Sequence, residues 1–141
     1  TIWLWPNIDA GTDRISKVLR SNREIGAAKK IRFIKNLPVE MYNNLLSNAE
    51  VLIGNSSSFI REGSYLGKRA VIIGSRQNQR EVAENVIRCL PNKENILASY
   101  ANICTRSVER SDLYGKGHAG KRIAEVLASE LPSVQKVLVY D

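Results

Sequence analysis

Apolar residues along this chain fall into short runs, joined by longer stretches in which they recur every three or four positions. Ile2 to Trp5, Ile31 to Ile34, Val51 to Ile53, Ala70 to Ile73 and Val86 to Leu90 are runs of strand length. They are apolar on both faces, as strands covered on two sides must be. Between them the period lengthens to that of a helix. Ile15, Val18, Leu19 and Ile25 predict the inner stripe of a helix that opens at Thr12 or Asp13. Pro38 sits near the first turn of a second helix, with Tyr42, Leu45, Leu46 and Ala49 facing inward. A third helix runs from a cap at Ser57 or Ser58 to about Leu66, where Gly67 stops it. A helical turn is expected over Glu81 to Asn85, and full helices over Asn92 to Arg106 and Ala119 to Leu131; the tail from Val134 to Val139 alternates.

Strands alternating with amphipathic helices through short connections predict one fold class: α/β, a Rossmann-like parallel sheet flanked by helices. The 141 residues suit a single domain, and a hydrophobic share of 43% against 25% charged is enough for a core. No apolar stretch approaches the roughly 20 residues of a membrane span. Cys89 and Cys104 are too few for a disulfide framework or a metal cage, and point to a reduced, cytoplasmic setting. The net charge of +7 suits an anionic partner. The basic residues are dispersed, without interleaved aromatics, which weighs against nucleic acid. The chain opens at Thr1 without methionine and goes directly into a strand, so we expect it to be one domain of a longer two-domain chain.

The chemistry concentrates in GNSSSFIREGSYLGKRAVIIGSRQNQRE, residues 54 to 81. In an open parallel sheet, ligands lie beyond the carboxyl ends of the strands, where loops enter helices. Asn55, Ser56 and Ser57 fall at that place. Unpaired N–H groups at a helix start carry partial positive charge and suit phosphate oxygens, and serine hydroxyls add donors. Glu62, past the first turn, suits a diol such as ribose better than a phosphate. Arg76 leaves the end of the next strand, where a guanidinium can neutralise a diphosphate or brace the loop. The same residues also read as an ordinary helix cap and surface ion pairs. Neither GxGxxG nor GxxxxGK[ST] is present, against the usual dinucleotide fold and the P-loop.

Four ordered segments carry a resemblance: WPNIDAG (Trp5 to Gly11), IGNSSSFIREGSYLGKRAVIIGSRQNQRE (Ile53 to Glu81), ENV (Glu84 to Val86) and YGKGHAGKRI (Tyr114 to Ile123). In this order they resemble the C-terminal half of UDP-N-acetylglucosamine 2-epimerases, closest to the hydrolysing branch, up to about residue 130. The resemblance implies the C-terminal half of a GT-B fold, with a UDP-sugar between two Rossmann-like domains. It implies that Asn7 approaches the nucleotide-sugar and that the backbone at Leu37 reads the uracil edge. Ser56 and Ser57 would bind the diphosphate, Glu62 the ribose, and Arg76 would match the family arginine at this place. Asn55, Arg80, Glu81 and Asn85 would support the site.

The implied reaction is anti elimination of UDP through a glycal, then addition of water with inversion at carbon 2, in sialic acid or surface polysaccharide biosynthesis. Its acid–base residues are expected in the N-terminal half, so this stretch alone should bind UDP weakly and turn over nothing. No cofactor or metal is expected; the partners are the UDP-sugar, the N-terminal domain and a possible second copy, with neither nucleic acid nor membrane. Phe59-Ile60 and Lys68-Arg69 depart from the family pattern and bear on substrate preference. A non-hydrolysing epimerase, a GT-B glycosyltransferase half and a non-catalytic nucleotide-binding module are the alternatives. His118 reads as a ligand contact or as a loop or capping residue; Trp3 and Trp5 read as packing residues.

Overall fold

Parallel strand pairing organises both parts of the chain. The computed structural model describes residues 1–6, 12–24 and 30–129, in two units, Thr1–Leu45 and Leu46–Asp141. In order the elements are β1 (Ile2–Leu4), α1 (Thr12–Glu24), β2 (Arg32–Ile34), α2 (Val39–Asn48), β3 (Val51–Gly54), α3 (Ser57–Tyr65), β4 (Arg69–Ile73), β5 (Val86–Cys89), α4 (Lys93–Cys104) and α5 (Ala119–Ser129). Parallel sheets flanked by helices make this a Rossmann-like α/β arrangement, as the alternation of periods predicts. The predicted Ile25 position and the Val134 to Val139 tail lie outside the described residues.

In the first unit β1 pairs with β2, Trp3 opposite Phe33. Trp5 N–H donates to the Ile34 carbonyl at 2.8 Å and Arg32 N–H to that of Thr1 at 2.9 Å, extending the ladder at both ends. Trp3 and Trp5 both pack on Phe33, each with centroids 6.3 Å apart, Trp3 tilted and Trp5 edge-on. Among the α1 residues whose burial is described, Ser16 and Leu19 are buried, while Ile15 and Val18 are exposed. At the helical period the buried arc is turned by about 70° from the apolar stripe. Of the predicted inner positions described, Leu19 alone is buried, because burial depends on what covers a helix and not on its pattern alone.

The second unit carries a three-stranded sheet in the order β3-β4-β5. Val71 pairs with Ile53 on one side and Ile87 on the other. Ala70, Val71 and Ile72 are fully buried. Successive strand residues point to opposite faces, so both faces of β4 are covered. Helix α3 packs on β3 and β4, and α4 on β4 and β5. They contribute Ile60 and Ile103, both fully buried, each stabilising by about 1.5–3 kcal/mol relative to exposure.

Helix α3 approaches the sheet through Gly63, where a β-carbon would stand 3.2 Å from Leu52 Cδ1. Its end is a Schellman turn: Lys68 N–H reaches the Gly63 carbonyl at 2.8 Å and Gly67 N–H that of Ser64 at 3.1 Å. Gly67 has φ +62°, and a β-carbon there would meet Arg110 N at 3.1 Å. The segment it touches is held by Ser111 N–H on the Ser64 carbonyl at 2.9 Å and by Arg110 stacked 3.8 Å over the Tyr65 ring. Asn92 caps α4, its Oδ1 accepting from Asn95 N–H at 2.9 Å.

Residues 74–85 join β4 to β5 without a helix: the expected turn at Glu81 to Asn85 is not helical. Within Glu81 to Asn85 a single turn is closed, by Val86 N–H on the Ala83 carbonyl at 3.2 Å; earlier in the connection Asn78 N–H reaches the Ser75 carbonyl at 3.0 Å and Arg80 N–H that of Gln77 at 3.1 Å. Side chains hold this connection instead. Arg88 Nη2 donates to the Gln77 carbonyl at 3.1 Å and to that of Arg80, and Tyr114 Oη donates to that of Glu81 at 2.5 Å. These external partners take carbonyls that a helix would have satisfied internally. His118 directly precedes α5 and its carbonyl accepts from Arg122 N–H at 3.1 Å, so its backbone caps the helix. No helix among the described residues is long and apolar enough to cross a membrane.

Candidate nucleotide site at the start of helix α3

Strand β3 ends on Gly54, at φ +153°. This is backbone that glycine alone adopts readily, and a β-carbon there would press on the Phe59 ring at 3.2 Å. The chain then turns outward through Asn55 and enters α3. The cap is Ser56, one residue before the earlier of the two predicted positions. Its φ of −74° and ψ of 137° are extended, and its Oγ accepts from Ser58 N–H at 3.3 Å. The two hydroxyls, Ser56 and Ser58, lie 2.9 Å apart.

With Ser56 in the cap, Ser57 becomes the first helical residue. Its side chain is half-buried, and its hydroxyl has no hydrogen-bond partner among the described residues. One turn beyond Ser58, on the same side of α3, stands Glu62. Its Oε2 is buried without a hydrogen-bond partner among the described residues. Stranding a buried carboxylate oxygen costs at least about 1–3 kcal/mol. The Ser58 N–H is met by Ser56 Oγ and the Phe59 N–H by the Ser56 carbonyl, so the helix start offers the serine hydroxyls and the Ser57 N–H, and the carboxylate offers an acceptor that lacks a donor among the described residues.

The remaining candidates of the second unit divide by what holds them. Asn55 is exposed, and its carbonyl accepts from Gln77 Nε2 at 3.1 Å. Arg76, Arg80 and Glu81 are exposed on the β4–β5 connection. Asn85 is 1% exposed and ties three elements together. Its Nδ2 donates to the Lys68 carbonyl at 2.7 Å, its Oδ1 faces Ser64 Oγ at 2.9 Å, and its carbonyl accepts from Ala70 N–H at 2.8 Å. Support at Asn85 is therefore structural: it pins α3 to the sheet.

Leu37 belongs to the first unit, half-buried beside an apolar depression of about 510 Å³ that Phe33, Met41 and Leu45 also line. Its N–H is taken by Asn36 Oδ1 at 2.9 Å. Asn7 lies outside the described residues. Two residues were not singled out from sequence. Ser64 is fully buried, its hydroxyl also touching the Ile60 carbonyl; Gln77 is 5% exposed. Gln77 lies within a quoted motif, yet nothing in its local pattern signals burial.

Parallel strands, with the candidate groups at a helix start beyond a strand's carboxyl end, define a Rossmann-like α/β protein of the kind that binds ligands at that edge. Over residues 1–128 the chain matches the UDP-N-acetylglucosamine 2-epimerase family, and it belongs to that family. It is 33% identical over 127 residues to the UDP-N,N'-diacetylbacillosamine 2-epimerase (hydrolyzing) of Legionella pneumophila subsp. pneumophila, across 89% of this chain and 33% of the relative. To the UDP-N-acetylglucosamine 2-epimerase of Neisseria meningitidis serogroup B it is 31% identical over 133 residues, again across 89% and 33%. The chain thus spans about a third of the length of these relatives.

Proposed function

We propose that this chain is the UDP-binding region of a hydrolysing UDP-N-acetylglucosamine 2-epimerase, one domain of a longer chain with a GT-B arrangement. The observation that carries this reading is the buried Oε2 of Glu62, without a hydrogen-bond partner among the described residues, one turn below the capped start of α3. An acceptor of this kind calls for a ligand that brings hydroxyl donors, and the helix start above it calls for an anion. A ribose joined to a diphosphate has both. In this reading Glu62 holds the ribose, while the Ser57 hydroxyl and N–H hold the diphosphate together with the Ser56 hydroxyl. Arg76 balances the charge that grows on UDP as it departs. From the family resemblance, the backbone at Leu37 would read the uracil edge. Asn7 approaches the sugar.

The reaction is elimination of UDP followed by addition of water at the glycal, giving N-acetylmannosamine and UDP. Its acid and base are expected mainly in the N-terminal half of the longer chain. The hydrolysing branch is favoured by the Pro6 to Gly11 motif and by the name of the Legionella relative, whose diacetylated sugar is the alternative substrate. The product would enter sialic acid or surface polysaccharide synthesis in the cytoplasm. Incubating the full-length protein with UDP-N-acetylglucosamine should release UDP and free N-acetylmannosamine in equal amounts. UDP-N-acetylmannosamine as the product would move the assignment to the non-hydrolysing branch. Sugar transfer to an acceptor would move it to a glycosyltransferase.

A further inference from the structure

We propose that Gln77 is the positioning residue of the diphosphate turn, an assignment that rests on the UDP reading above. Its side chain is 95% buried, although it sits in an irregular connection. Nε2 donates to the Asn55 carbonyl at 3.1 Å, the peptide oxygen immediately before the Ser56 cap. Fixing that carbonyl fixes the plane of the Asn55–Ser56 peptide, and with it the direction in which the first N–H groups of α3 and the Ser57 hydroxyl point. The anchor is itself anchored. Arg88, from β5, grips the Gln77 carbonyl at 3.1 Å and that of Arg80, and Arg80 N–H closes on the Gln77 carbonyl at 3.1 Å. A rigid strand thus reaches the turn through two consecutive side chains.

Packing alone does not account for an amide at this place. Its acceptor, Oε1, is buried and has no hydrogen-bond partner among the described residues. Burying that oxygen without a donor is a cost that a hydrophobic side chain would avoid. Gln77 is therefore a costly way to fill this space, and the bond from Nε2 to the turn is what the cost maintains. Preorganising donors before the anion arrives is how such a bond raises affinity.

The test compares Gln77→Met, which keeps length and removes the donor, with wild type in the full-length protein. UDP and uridine are titrated separately by NMR, and amide exchange is followed over residues 55–58. The expected result is a roughly 10-fold weaker UDP affinity, the loss of about one hydrogen bond, with uridine affinity within twofold of wild type and faster exchange in the turn. Equal losses for UDP and uridine would reduce Gln77 to a packing residue, and unchanged UDP affinity would overturn its role outright. Gln77→Glu, which sets a carboxylate against the Asn55 carbonyl, should be worse than methionine for UDP; equal or better binding also counts against the proposal. Wild-type protein that binds no UDP would instead refute the nucleotide reading on which this one stands.

Discussion

Replacing Asn85 with alanine should destabilise the second unit far more than it disturbs any ligand. The substitution removes two side-chain hydrogen bonds at once: Nδ2 to the Lys68 carbonyl at 2.7 Å and Oδ1 from Ser64 at 2.9 Å. The Ser64 hydroxyl keeps the Ile60 carbonyl as a partner, so its loss is small. The Lys68 carbonyl sits in the Schellman turn and loses the amide that faced it. Counting about 1–3 kcal/mol for the stranded carbonyl and about 0.5–1.5 kcal/mol for the bond from Ser64, the total is about 1.5–4.5 kcal/mol. The bond from Ala70 N–H to the Asn85 carbonyl is backbone and survives. Trp3 and Trp5 lie in the first unit, so tryptophan fluorescence reports the wrong region. Native-state amide exchange of β4 and β5, Arg69–Ile73 and Val86–Cys89, reads the loss directly. A Ser64→Ala/Asn85→Ala cycle should give a coupling of about 1 kcal/mol. A change below about 0.5 kcal/mol in Asn85→Ala would refute the claim that this side chain pins α3 to the sheet.

Two further outcomes test the site and its frame. Ser57→Ala and Glu62→Ala should each weaken UDP by about 1–3 kcal/mol in calorimetry, and unchanged binding would return both residues to purely structural duty. Gly67→Ala should cost about 1–2 kcal/mol for left-handed backbone alone, with more added by the clash at Arg110 N; a urea midpoint equal to that of wild type would contradict the turn geometry.

Much of the candidate site was legible because its signals are local. A small, polar segment between an apolar run and an amphipathic one marks a strand-to-helix entrance, and Gly67 marks the helix end through a conformation that only glycine takes at low cost. Glu62 was legible as an acceptor by type and position. The cap at Ser56 was missed by a residue or two because three consecutive serines can all cap, and only the backbone angles choose among them. The helical turn expected at Glu81 to Asn85 failed for a different reason. Asn85 is drawn into the core by Lys68 and Ser64, and the carbonyls of the loop before it are met by Arg88 and Tyr114.

What the sequence determined by itself was whatever neighbours along the chain can enforce: the strand runs, the helix spans, the glycine stop and the chemical character of residues 54 to 81. Tertiary structure alone decided which face of α1 is buried, that Asn85 and Ser64 meet across the core, and that Gln77 reaches Asn55. Those outcomes join residues 21 and 22 positions apart. Local propensity carries no information about such pairs; they are chosen when chain segments pack and most buried polar groups find partners.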